Sequence, residues 1–292
     1  MSNRASVTVG IPTYNNEDTI SATIRSLRQQ TFTEWECFIT DDSRSSETFD
    51  AAREAVDNDP RFVLIKNPER LGAAGNWNSL LERATAPLFK LLCADDLLYR
   101  NALEREVMAI NEHPSAVLAT SRRDVIDSQG RTIFKDRGFH PDDEVLSRSD
   151  VISRFVRSGR NLFAEPSFAL YDTAALRKGG GFDGTWDYTI DFVSYLTTLQ
   201  WGTLVPIDEP LGAFRISLGS WTSALMGRHR AEIRRCMDFA GALPDSPCSA
   251  RDLRRGRAMV ELTGVPRDLI LRTLRLQRKW EDRRAARRHL GQ

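Results

Sequence analysis

The chain has 292 residues, 41% hydrophobic and 28% charged, with a formal net charge of +1. That length gives one large domain, or one domain with an appendage, and the composition excludes disorder as the main state. Charge is unevenly spread: from Arg228 onward 17 Lys and Arg stand against 8 Asp and Glu, whereas the first 227 residues hold 24 against 32, so an acidic body carries a basic tail. Cys37, Cys93, Cys236 and Cys248 show no Cys-x-x-Cys spacing, and His113, His140, His229 and His289 are scattered. Buried thiols are expected, and zinc hydrolysis and serine-nucleophile chemistry both lack their signatures. The first residues lack the apolar core of a signal peptide and no run approaches a membrane span, so the expectation is a cytoplasmic protein.

Ser6 to Thr13 reads as a buried strand that ends in the polar loop Tyr14-Asn-Asn-Glu-Asp18. Ile20, Ile24 and Leu27 recur at helical spacing, and the helix is predicted to stop near Gln30. Glu36 to Thr40 forms the next strand and runs into the carboxylate pair Asp41-Asp42. Phe49, Ala52 and Val56 mark a second helix, Phe62 to Lys66 a third strand, and Gly72 to Gly75 a turn that opens a helix through Trp77, Leu80 and Leu81. The stretch Lys90-Leu-Leu-Cys-Ala-Asp-Asp-Leu-Leu98 is a buried strand meeting two adjacent carboxylates, Asp95 and Asp96. Alternation of strand and helix over the first hundred residues predicts an α/β fold, with a mostly parallel central sheet and flanking crossover helices. One edge of such a sheet gathers Tyr14-Asn15, Asp41-Asp42 and Asp95-Asp96, and that edge is where open α/β sheets bind ligands. Two neighbouring acids repel, and a hard divalent cation, Mg²⁺ or Mn²⁺, is their usual partner; a helix N-cap at Asp96 beside a solvated neighbour is the plainer alternative.

The segments VTVGIPTYNNEDTISATIRSLRQQTF, FITDDSRS, NPERLGAAGNWNSLLERA and KLLCADDLLY follow in an order and spacing that resemble the inverting GT-A glycosyltransferases of family 2. NLFAEPSFALYDTAALRKGGGFD, the stretch Asp187 to Asp191 with Gly202 after it, and EPLGAFR followed by SWTS are similar to the acceptor-side pattern of that family. The resemblance implies a GT-A catalytic domain over residues 1–222, with a nucleotide-sugar half at 6–100 and an acceptor half at 101–222, followed by a basic helical extension at 223–292. It implies transfer from a nucleoside-diphosphate sugar, a UDP-sugar by family frequency, to an acceptor hydroxyl with inversion. Around the donor it places Pro12, Tyr14, Asn15, Glu17, Asp41, Asp42, Asn76, Asp95 and Arg215, with Tyr14 stacking on the base and Asp42 on the base or ribose edge. Asp96 would ligate the metal, with Asp95 on the ribose or in the metal shell. Ordinary loop and helix-cap structure is the alternative for Tyr14 and Asn76, and Trp77 reads as core.

Inversion needs a general base for the acceptor hydroxyl. Asp191 opens an apolar-periodic run eleven residues before Gly202 and matches the family's base position; Asp187 is the second candidate, and a helix cap or a partner for Arg215 is the plainer reading of Asp191. Asn161, Glu165 and Trp221 fall on the acceptor side, where a plain loop before the strand Phe168 to Tyr171 is the rival reading of Glu165. Four positions depart from the pattern: Arg44 and Ser46 in the Asp42 loop, Cys93 in place of a first acid, and Ser217 where many relatives carry His. A sugar-phosphate nucleotidyltransferase would carry a Gly-x-Gly-x-Arg loop that Gly10 to Tyr14 does not supply, and a non-catalytic nucleotide-binding adaptor is the other alternative. The acceptor class stays open between glycan, lipid-linked sugar and small molecule. From Arg267 to His289 a basic amphipathic helix is predicted, which would pack on the body, lie on an anionic membrane or join a homo-oligomer. No nucleic-acid reading module accompanies it.

Overall fold

The structure, a computed structural model, describes residues 5–140, 145–216 and 228–263. The segment holding Ser217 and Trp221 and the helix predicted over 267–289 lie outside the described residues. Val7–Thr13 (β1), Trp35–Asp41 (β2), Phe62–Lys66 (β3) and Leu88–Leu91 (β4) form a parallel sheet in the order β3-β2-β1-β4, as the alternating pattern predicts. Joining them are Ile20–Arg28 (α1), Glu47–Val56 (α2) and Gly72–Arg83 (α3). The sheet then continues past β4 through Ala169–Asp172 (β8), Ala116–Ile126 (β6) and Thr203–Arg215 (β9) to the two-residue Leu97–Leu98 (β5), with Thr132–Arg137 (β7) hairpinned onto β6. Here the directions mix: β8 runs antiparallel to both β4 and β6, while β6 and β9 are parallel.

Helices cover both faces. Alternation along β4 shows how: Leu88 belongs to one apolar cluster, with α1, α2 and Ala102–Glu112 (α4). Phe89 and Leu91 belong to the other, with α3, Arg148–Ser158 (α5), Thr173–Lys178 (α6) and Ile190–Thr198 (α7). Helix α3 lies so close to β1 that a methyl group at Gly10 would stand 2.9 Å from Leu80 Cβ. His229–Ala242 (α8) and a helix over 250–263 extend the second cluster through Ile233, Cys236, Met237, Ala240 and Val260. Gly159 lets that last helix approach closely, since a Cβ there would meet the backbone of Met259 and Val260 at 2.8 Å. All four cysteines are free thiols.

Candidate active site

Parallel register puts the ends of β1, β2 and β3 side by side: Thr13 is level with Asp41, and Asp41 with Lys66. Asp41, 1% exposed, accepts from Thr13 Oγ1 at 2.9 Å and Ser43 N at 3.0 Å through one oxygen and from Lys66 Nζ at 2.6 Å through the other. Asp42 is equally engaged. Its carboxylate accepts from Leu71 N at 2.8 Å, Gly72 N at 2.9 Å and Asn67 Nδ2 at 3.1 Å, and so holds the start of α3 against the sheet edge. Asn76 accepts from Asn67 Nδ2 at 3.0 Å and donates to the Thr40 carbonyl at 3.2 Å. These three predicted donor contacts are thus buried and satisfied by protein, and they shape the edge. What the edge presents outward is Tyr14, 42% exposed, with the Arg70 guanidinium 4.3 Å from its ring centroid. The loop that offers Tyr14 is fixed on either side: Asn15 takes a left-handed φ of 54° and donates its N–H to Ser43 Oγ at 2.8 Å, and Glu17 accepts from Thr48 Oγ1 at 2.8 Å. Pro12, half-buried, pairs with Thr40 in the β1–β2 ladder just before that loop.

Past β4 the chain turns through Asp95 and Asp96. Asp96 is fully buried: one oxygen accepts from Ser167 Oγ at 2.6 Å, the other from the Arg215 N–H at 2.9 Å. Ser167 in turn accepts from Cys93 N at 2.9 Å, so one hydroxyl ties both sides of the turn. Arg215, expected to reach phosphate, spends its guanidinium on main-chain carbonyls, those of Asp95 at 2.8 Å, Asp127 at 3.0 Å and Ser128 at 3.3 Å. Asp95 is half-buried, and among the described residues its carboxylate has no side-chain partner. Burial pushes its pKa up to about 6, against the charge of Arg215; burial first and then Asp95 push that of Asp96 well above the usual carboxylate range.

Among the described residues no group of three or more His, Cys, Asp or Glu side chains is placed to hold a metal. The pair fits a cation of the Mg²⁺ type all the same, because such ions use one or two carboxylates and take their other oxygens from substrate phosphates and water. Asp95 is the carboxylate with free lone pairs.

On the acceptor side, Asp191 stands in the first turn of α7, half-buried, accepting from the Phe192 N–H at 2.7 Å. Burial raises its pKa to about 7; the carboxylate of Glu165 adds to the shift, and the Phe192 N–H and Arg123 oppose it. Glu165 forms a forked ion pair with Arg123, at 2.7 and 2.8 Å. Asn161 closes the preceding loop on itself, donating to the Ala164 carbonyl at 2.9 Å and accepting from Phe163 N at 2.8 Å. Burial first, and then the charges of Asp96, Asp95 and Asp191, push the Cys93 thiol pKa up. Asp187 is half-exposed and 3.9 Å from Arg228.

A family model described as glycosyl transferase family 2 matches residues 8–180. The chain belongs to that family. Among curated relatives, it is 37% identical over 101 residues to the UDP-Glc:alpha-D-GlcNAc-diphosphoundecaprenol beta-1,3-glucosyltransferase WfgD of Escherichia coli, covering 35% of this chain and 39% of that protein. In fold it is similar to residues 1–349 of S. aureus TarS, solved in complex with UDP-GlcNAc, with a TM-score of 0.64 at 17% identity over 87% of this chain and 71% of the other. It is likewise similar to the mannosyltransferase PcManGT of Pyrobaculum calidifontis, solved with GDP-Man and Mn2+, with a TM-score of 0.60 at 16% identity over 92% and 79%. The fold is GT-A-like.

Two residues of this site lie in segments that the sequence picks out but carry no role there. Ser167 is recognisable only once Asp96 and the turn Pro166–Phe168 are brought together across 71 positions. Arg70 lies in the quoted segment NPERLGAAGN, but no spacing rule points its guanidinium at Tyr14.

Proposed function

We propose that this chain transfers a glycosyl group from a nucleoside-diphosphate sugar to an acceptor hydroxyl with inversion of the anomeric centre. The observation that carries this reading is Asp191: a half-buried carboxylate in the first turn of α7 with a pKa raised to about 7 by burial, whose charge, like those of Asp95 and Asp96, bears on the Cys93 thiol. In the reaction, the acceptor oxygen forms a bond to the anomeric carbon from the side opposite the diphosphate. Its proton passes to Asp191, and the bond from the anomeric carbon to phosphate oxygen breaks with its electron pair going to the diphosphate. Tyr14 and Arg70 offer the base a stacking platform, and Glu165 with Arg123 fixes the acceptor side of the base. Asp95 would hold a Mg²⁺ or Mn²⁺ ion, whose charge would offset that of the leaving diphosphate. Asp96, tied to Ser167 and to the Arg215 N–H, would stand beside Asp95 in the metal shell. A UDP-sugar is the favoured donor and a lipid-linked sugar the favoured acceptor, in keeping with the activity for which the E. coli relative is named.

Calorimetric titration with UDP, GDP and dTDP, each with Mn²⁺ and then with EDTA, tests the donor half. One nucleotide is expected to bind only with metal, and Asp95→Ala to abolish that binding. Metal-independent binding that survives Asp95→Ala overturns the assignment. Asp191→Asn is expected to keep nucleotide binding and lose transfer by about 10²–10⁴-fold, the usual worth of a general base.

A further inference from the structure

The turn that carries Asp95 is held carbonyl by carbonyl. Asp96 N donates to the Cys93 carbonyl at 3.1 Å, and Thr19 Oγ1 to that of Ala94 at 2.9 Å. Thr23 Oγ1 shares its proton between the carbonyls of Ala94 at 3.0 Å and Asp96 at 2.9 Å. These donors are neutral. The carbonyl of Asp95, whose carboxylate has lone pairs to spare, is held instead by a guanidinium, through Arg215 Nε at 2.8 Å. Arg215 is 6% exposed, and a guanidinium taken out of water needs a carboxylate or several other acceptors. Arg122, the other arginine buried among the described residues, has carboxylates in Asp136 and Asp208. Arg215 has no carboxylate partner for its side chain among the described residues, and its Nη1 donates to the carbonyls of Asp127 at 3.0 Å and Ser128 at 3.3 Å.

Those two carbonyls belong to a turn that is itself closed. Between β6 and β7 the Asp127 carboxylate accepts from Gln129 N and Arg131 N, both at 2.9 Å, and Gly130, at a φ of 81°, donates its N–H to the Asp127 carbonyl at 3.0 Å. Through Arg215 this anchor grips the main chain of Asp95, while the Arg215 N–H fixes the Asp96 carboxylate at 2.9 Å. One residue at the end of β9 therefore sets both acids, and its charge lies beside a pair that would otherwise repel. Reaching for a phosphate with Nε and Nη1 would break three hydrogen bonds and loosen the carboxylate that a metal needs. Given Asp95 as the metal-holding carboxylate, on which this rests, we infer that Arg215 is a positioning residue for the divalent cation. It sets Asp95 for the ion before any nucleotide arrives, and its Nε and Nη1 stay on carbonyls when the donor binds, in place of the phosphate contact that the family resemblance implies.

Two measurements test it. In the first, Mn²⁺ is titrated into nucleotide-free parent, Arg215→Lys, Arg215→Gln and Asp95→Ala, and bound ion is read from the loss of the free-ion electron paramagnetic resonance signal. The parent is expected to bind the ion and Asp95→Ala not to. Arg215→Lys keeps the charge but loses the fork, whereas Arg215→Gln loses both. Each is expected to bind Mn²⁺ about tenfold or more weakly, the usual loss when a group that orients a metal ligand is changed. The sign for glutamine is decisive, because a positive charge nearby opposes a cation: were charge all that Arg215 supplies, its removal would strengthen binding. Tighter binding by Arg215→Gln, or parent-like binding by Arg215→Lys, overturns the positioning role. So does a lowered melting temperature with Mn²⁺ affinity unchanged, the mark of a purely structural residue. A parent that binds no Mn²⁺ without nucleotide overturns the preformed site. Mn²⁺ binding undiminished in Asp95→Ala, and that outcome alone, removes the Asp95 reading along with it. The second measurement uses only the parent, labelled with ¹⁵N-arginine. Its slow-exchanging guanidinium Nε–H signals come from buried arginines, and none is expected to gain coupling to ³¹P when UDP and Mg²⁺ are added. Such coupling would put Arg215 on the phosphate, since Arg122 is held by its two acids, and overturn the inference.

Discussion

Asp191 is protonated through much of the range in which an ordinary aspartate is charged, because burial and Glu165 both work against its anion. A base can accept a proton only when it has none. The expected kcat/KM profile therefore climbs with pH through about 7 and levels above it, where an unshifted aspartate would already be level from about pH 5. Glu165→Gln removes a like charge and frees Arg123, and both changes favour the anion, so the rising limb moves to lower pH; a pH-rate series on parent and variant reads the shift directly. A limb that stays in place sinks the coupling between the two carboxylates. Asp191 was legible in the sequence from its distance to Gly202 and the apolar run after it, whereas its burial and its neighbours on β6 and the 158–165 loop were not. Arg215 shows the converse: its position was visible, but the carbonyls that occupy its guanidinium come from the turn after β6, and no local pattern announces them.

Elements obey the sequence best where periodicity is long. The three strands and helices before β4 fall where alternation and helical spacing place them, and the glycine-rich stretch differs only in that Gly72, at a φ of +72°, already belongs to α3. The joint between β2 and α3 rests on Asp42. Asp42→Ala would leave the Leu71 and Gly72 N–H groups and the Asn67 amide without their acceptor in a buried setting, a loss of about 1–3 kcal/mol in chemical denaturation. Unchanged stability would show that water replaces the carboxylate. The carboxylate stretch itself divides: β4 stops at Leu91, and Leu97–Leu98 pairs with β9 rather than prolonging it. A two-residue strand has no period to read, and its apolar residues look like more of the same run. Gly212, opposite it, is what makes the pairing fit, since a methyl group there would lie 2.3 Å from the Leu97 carbonyl oxygen.

Across the molecule, the sheet separates two apolar clusters, and among the described residues one ion pair has both side chains fully buried. Lys90 and Glu106 are both fully buried and meet at 2.7 Å, joining β4 to α4. Removing one partner strands the other's charge, so Lys90→Met is expected to cost about 3–5 kcal/mol and Lys90→Met/Glu106→Leu to recover most of it in urea unfolding. A double variant no better than the single would show that the pair also carries packing that its replacement lacks. The sequence showed Lys90 only as an aliphatic stem in an apolar run; its partner lies on another element, beyond any local period. The basic tail was visible as charge, yet part of that charge is spent on its own acids, with Arg230 and Arg234 on Glu261 and Arg257 on Asp238. The tie at Asp96 sets an order of assembly. Ser167 and the Arg215 N–H lie 71 and 119 positions further along the chain, so on the ribosome the nucleotide-binding strands emerge long before either donor exists. Until β9 has been made, Asp96 stays hydrated and charged beside Asp95 and the turn has no reason to close. A nascent chain thus gains its grip on nucleotide late and in one step, long after the half of the protein that sequence patterns assign to the nucleotide is already outside the exit tunnel.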